Sequence, residues 1–280
     1  MAEPPPSPQT CGDLGWNPVE SAASHSQLAG VVASLLFAGM IVLLTDRGRT
    51  VRHTNALVLL TASFFILALD SFLFSIIAGE QICGRAWTST MIAGGMLGVG
   101  ALGIFGGLSW LMNPYGAEER HGSRLVTAIA FVVGAVVIIH LWVTTIDYLK
   151  DMGPVADVPG WLSPAADAHA AFGFAGILTL AALRWRRRRP PRHRVLWAGY
   201  LTVGYASVCA VTSGVLLGPG VPAWTDVPAW AVIVAVLLPL SIVTVTIGTH
   251  LFALAHSLDP GARKPPGPGR PRLGASRPRP

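Results

Sequence analysis

The chain alternates between long uninterrupted apolar runs and short stretches dense in arginine, proline, glycine and acidic residues. The runs occupy residues 28–45, 56–78, 86–112, 125–149, 168–183, 195–217 and 227–254. At about 1.5 Å per helical residue, segments of this length cross a hydrocarbon core roughly 30 Å thick. A helix satisfies its own backbone inside lipid, so the pattern predicts an all-α, polytopic integral membrane bundle of seven transmembrane helices. The run 168–183 is the shortest and is expected to need Trp185 at the interface and snorkelling arginines to complete its span. Residues 1–27 read as a polar, Pro-rich extracytoplasmic arm, and without a basic n-region they are not expected to be a cleaved secretory signal. Residues 257–280 are rich in Pro, Gly and Arg and read as a disordered basic tail.

The cationic turn from Arg184 to Arg194 gives the runs a direction. Cytoplasmic loops of membrane proteins collect Lys and Arg, so this turn is placed inside. Alternation then puts the turns around Arg47 and Arg120 and the basic C-terminal tail on the same side, leaving only Arg85 and Lys150 opposite. The prediction is N-terminus outside and C-terminus cytoplasmic. One span more or fewer would scatter those charges over both faces.

Composition agrees with this class. Charged residues make up 12% of the chain, against roughly 25% in an ordinary soluble domain. The formal charge of +6 would point to nucleic acid in a soluble protein, but here the basic residues flank apolar spans and read as topology signals. The expected partners are the lipid bilayer and anionic lipid headgroups at the cytoplasmic face, the latter worth about 1 kcal/mol per basic residue near the surface; no nucleic acid is expected. The Ala, Gly, Arg and Pro bias is that of a GC-rich bacterial genome, which makes the plasma membrane the expected location.

Several motifs fail on context. Gly98-Val99-Gly100-Ala101-Leu102-Gly103 fits the dinucleotide pattern but lies inside an apolar run rather than between a strand and a helix. The last run has no lysine, which excludes a retinal Schiff base. No C-x-x-C motif accompanies the three cysteines. The sequence identifies no cofactor. The glycines of the third run, with Gly94/Gly98 and Gly103/Gly107 four apart, predict a central helix packed tightly on its neighbours.

The candidate chemistry is a short set of polar residues. Counted from the outer ends of their runs, Asp70 and His140 both lie about 12–14 Å below the outer surface. Cys209 falls in the same layer. Intramembrane carboxylates and imidazoles are costly and face bundle interiors, so an Asp70–His140 contact is expected, able to hold or relay a proton. Cys209 would add a nucleophile to that pair. At the outer rim His25, Asp147, Asp167 and His169 form a candidate first shell for a divalent metal. Cys11 and Cys83 are both expected outside, where a disulfide would tie the N-terminal arm over the bundle mouth. Three function classes follow: a membrane-embedded enzyme acting on an isoprenoid or lipid, a proton-coupled transporter or channel subunit, and a receptor-like or accessory protein without chemistry. No internal repeat is evident, which counts against a transporter, and no nucleophile or metal motif is present, which counts against an enzyme.

Overall fold

Asn17 opens the first helix. Its Oδ1 accepts hydrogen bonds from the amides of Val19 and Glu20 at 3.0 and 3.3 Å, Pro18 takes the first helical position and Glu20 lies in the first turn. An Asn cap, a proline whose missing N–H is not needed there and a carboxylate near the helix N-terminus each favour initiation. In consequence α1 spans Pro18–Thr45 and starts well before the apolar run at Leu28, so residues 18–27 are helix and not arm.

The computed structural model describes residues 17–45, 51–112, 120–153, 156–186, 193–218 and 227–254. After α1 come α2 (Val51–Ile77), α3 (Cys83–Leu111), α4 (Arg120–Met152), α5 (Leu162–Arg186), α6 (His193–Leu217) and α7 (Ala229–Ala253). All seven are long and apolar enough to cross a membrane, and no strand occurs among the described residues. The protein is a multi-pass, seven-helix membrane bundle. The span of α5 that ends before Trp185, Leu162–Leu183, is already 22 residues long: Pro164 sits in the first turn, where proline is tolerated, so the helix starts ahead of the apolar run.

Successive helices run in opposite directions. Ser26 near the start of α1 exchanges hydrogen bonds with Ser71 near the end of α2, hydroxyl to carbonyl in both directions at 2.8 Å. Trp87 at the start of α3 packs on Tyr148 at the end of α4. Trp110 at the end of α3 donates to the carbonyl of Ala253 at the end of α7, at 2.9 Å, and Arg194 at the start of α6 lies 4.9 Å over the Phe252 ring. One end of the bundle thus gathers Arg120, Arg124 and Arg194, the other Glu80, Asp147, Asp151 and Asp167. They are called the basic and the acidic end below.

α3 is the axis of the bundle and packs on α2, α4, α6 and α7. Its glycines make that approach possible: a Cβ on Gly100 would lie 2.7 Å from Leu67 Cδ2, and one on Gly107 2.7 Å from Leu60 Cδ2. Between lipid-dissolved helices, association comes from close backbone approach of this kind. Gly94 is different: it is exposed and has open space where a side chain would go. The outer surface is apolar, with Val31, Leu35, Phe172, Leu178 and Val211 all pointing away from the core. Lipid requires such a perimeter, since water would not tolerate it over this area.

Candidate functional site

Asp70 lies on the inward face of α2, about 10 Å from that helix's acidic end at seven residues from Ile77. It is fully buried, and neither carboxyl oxygen has a hydrogen-bond partner. Around it the α2, α3 and α6 faces bring together three groups. The Tyr205 hydroxyl and the Cys209 thiol of α6, one turn apart, both point at the Ile92 carbonyl of α3, each at 3.3 Å. Asp70 lies within electrostatic reach of both side chains. Gly95 leaves the room: a Cβ there would collide with the Tyr205 hydroxyl and with Val243 of α7.

A second polar layer lies toward the basic end on the same helix faces. Ser63 is seven residues from Asp70 on α2, and Thr202 is seven from Cys209 on α6, two helical turns in each case. Thr202 Oγ1 is 2.7 Å from His250 Nε2 and 2.9 Å from the Ala198 carbonyl, to which it donates. Ser63 donates to the Leu59 carbonyl at 2.8 Å. All three residues are buried. Between the two layers Ile66, Leu67, Val99, Ala206 and Ile247 form part of the continuous apolar core.

The structure does not bring Asp70 and His140 together. His140 is exposed on the lipid-facing side of α4, beside Val136, Ile139 and Val143, and α2 does not pack substantially on α4. Equal depth does not bring the two side chains into contact, because depth says nothing about the direction a side chain takes around its helix. Cys209 does reach the Asp70 layer, yet its thiol donates to a carbonyl and has no histidine beside it, so the nucleophile, base and acid arrangement is absent.

The rim residues do not converge either. His25 stacks on Phe74 with ring centroids 5.1 Å apart; Asp167 accepts from Trp142 at 2.8 Å; His169 lies 3.2 Å from the Ser241 hydroxyl; Asp147 pairs with Lys150 on the surface. Among the described residues no three His, Cys, Asp or Glu side chains are placed to share a metal ion. The concavity of about 710 Å³ along α1, lined by Ser26, Gly30, Ser34 and Ser71, does not include Asp70. Cys83 is disulfide-bonded and Cys209 is free and buried. Cys11 lies outside the described residues, as do most of the cationic turn and the basic tail on which the headgroup expectation rests.

No family model, curated protein or solved structure matches this chain. Function is therefore argued from the buried polar layers alone.

The sequence assigns no role to His250, Thr202 or Ser63. A signal existed: Thr202, Tyr205 and Cys209 follow one another at spacings of three and four, and Thr246 and His250 are four apart, which puts each set on one face of its helix. Most hydroxyls of α7 serve their own backbone, as Thr244 and Thr246 do with Leu240 and Ile242, both at 2.7 Å. Tyr205 does not; it bonds across to α3.

At the acidic end Arg85 and Glu80 form a close ion pair. Arg85 Nε and Nη2 grip the Glu80 carboxylate at 2.6 and 2.8 Å, and the same carboxylate accepts from the Gln81 and Ile82 amides, ordering the turn from α2 to α3. Burial pushes the Glu80 carboxyl up, but the Arg85 guanidinium and the two amides outweigh it and hold the group below the ordinary range. A depressed carboxyl stabilises the fold above its unfolded value, and that contribution is lost as pH falls through the folded one. Glu80→Gln should therefore unfold a few degrees below wild type at neutral pH. The gap should close below about pH 4, near the ordinary glutamate value, in thermal scans of detergent-solubilised protein.

Proposed function

We propose that this membrane protein works by binding and releasing a proton at Asp70, as a proton-coupled transporter or channel subunit. The observation that carries this reading is a fully buried carboxyl with neither oxygen hydrogen-bonded. A carboxylate kept merely to fix helix register would be paired, because an unpaired charge in hydrocarbon costs several kcal/mol. A proton removes that cost, so occupancy of Asp70 by a proton and the packing of α2 on α3 and α6 are linked. Tyr205 and Cys209 of α6, both directed at the Ile92 carbonyl, are the polar side chains nearest to it along the packed α3 and α6 faces that could take part in the change.

A membrane-embedded enzyme is supported less well. Its acid–base pair required His140, which faces lipid, and the groove along α1 stops short of Asp70.

The test is proton flux in liposomes containing the purified protein and a trapped pH indicator, with a potassium diffusion potential as driving force. Wild-type protein should dissipate the imposed gradient, Asp70→Asn should abolish this, and Asp70→Glu should retain part of it. Asp70→Asn conducting like wild type, or wild type conducting no faster than empty liposomes, removes the reading.

A further inference from the structure

His250 is held as a base that lacks one partner. Its ring is 1% exposed, within one turn of the end of α7. Thr202 has a single hydroxyl proton; assigned to the Ala198 carbonyl, it makes the short contact to His250 a hydrogen bond from Nε2–H to the threonine oxygen. In that tautomer Nδ1 carries the lone pair, and Nδ1 has no partner. An orphaned acceptor in a buried site costs about 1–3 kcal/mol.

The space next to that lone pair is polar on one side and otherwise made by missing side chains. A Cβ on Gly106 would sit 3.9 Å from Nδ1 and 3.0 Å from Leu59 Cδ1, and one on Gly103 would lie 3.4 Å from His250 Cε1 while colliding with the Ser63 hydroxyl. Without a side chain at Gly106, Nδ1 faces bare backbone, and a methyl added there would be crowded between Leu59 and the ring.

We propose that His250 is a water-binding proton station at the basic end, with one water molecule on Nδ1 beside Gly106. The inference rests on the Asp70 reading for its direction of use but not for the water site itself. A proton delivered by that water protonates Nδ1 and leaves the water neutral; the imidazolium keeps its Nε2–H on Thr202. Returning the Nδ1 proton to water restores the neutral ring, so the station exchanges protons with the basic end. The groups facing the ring from α2, α3 and α6 are Ser63, the two glycines and Thr202. The titratable side chains on those faces are Tyr205, Cys209 and Asp70 toward the acidic end, and Arg194, stacked on Phe252, at the other. Among the described residues no charged side chain forms a hydrogen bond or ion pair with the ring.

The experiment uses the full chain in lipid bilayers with ¹⁵N-labelled histidine, the His250 signals being assigned by their loss in His250→Gln. The Nδ1 resonance should carry the shift of a hydrogen-bonded acceptor, show contact with water protons, and lose both in Gly106→Ala, whose methyl, 3.9 Å from Nδ1, crowds the approach to it. In liposomes His250→Gln should lose most of the proton flux while His140→Gln keeps it. An Nδ1 signal without water contact, or one that Gly106→Ala leaves unchanged, overturns the water site. Full flux in His250→Gln with none in Asp70→Asn overturns the relay through His250 and leaves the Asp70 reading intact. Full flux in Asp70→Asn with the Nδ1 water still present removes that reading while the site at His250 stands.

Discussion

Replacing Asp70 with leucine is expected to make the protein more stable and inactive at once. The carboxyl is fully buried with two unpartnered oxygens, and relieving a buried group of that kind gains about 1–3 kcal/mol, with leucine close enough in volume to keep the packing. The unfolding temperature in a detergent or lipid-disc thermal scan should rise by several degrees relative to wild type, and liposome flux should vanish. Most core substitutions do the reverse and destabilise. A destabilised Asp70→Leu protein would mean that the aspartate has a stabilising partner, and the argument from an unsatisfied carboxyl would be lost with it. A functional group retained at the expense of stability has this signature.

Gly100→Leu is expected to have the opposite and larger effect on the fold. A Cβ alone would approach both Leu67 Cδ2 and Cγ at 2.7 Å and Ile66 Cγ2 at 3.3 Å, so a leucine must push α2 off α3. Overpacking a close-packed interior typically costs about 1–3 kcal/mol and more when backbone has to move. These two helices form the most extensive interface in the bundle, and the displacement would open both polar layers. The protein should lose its monodisperse peak on size-exclusion chromatography or unfold well below wild type. Gly94→Leu, where a side chain meets open space, should behave as wild type and serves as the control. Equal behaviour of the two variants would show that α3 is not the axis described above.

The number of spans and their class were legible in the sequence because a bilayer imposes length and apolarity on every crossing segment. Helix starts were less so. The Asn17 cap and the Pro164 start lie in polar sequence that an apolar count discards, although Asn-Pro-x-Glu was a readable initiation signal. The Asp70–His140 pairing failed for a deeper reason. Buried positions of α4 recur as Gly134, Ile138, Leu141, Thr145 and Tyr148, while its lipid face carries Val132, Val136, Ile139 and Val143. Both stripes are apolar, because lipid is as apolar as the core, so composition along the helix does not tell inside from outside. His140 was placed at the correct height on the wrong side. Cys209 reached the Asp70 layer because α6 displays a polar stripe, Thr202, Tyr205 and Cys209, which does fix an azimuth. His250 lay in a helix whose hydroxyls mostly serve their own backbone, and its role depends on the cradle made by Gly103 and Gly106 of another helix, a relation no single segment reveals.

The slab of Ile66, Leu67, Val99 and their neighbours separates the two polar layers by about two helical turns, close to 10 Å. If water reaches Asp70 from the acidic end and His250 from the basic end, as the proposed function requires, a stretch this thin and this poor in dipoles takes most of the voltage imposed on the membrane. Each elementary charge driven across the full drop gains about 2.3 kcal/mol per 100 mV. The electrical gradient would then do its work over a few side chains at the centre of the bundle rather than over the whole thickness of the bilayer.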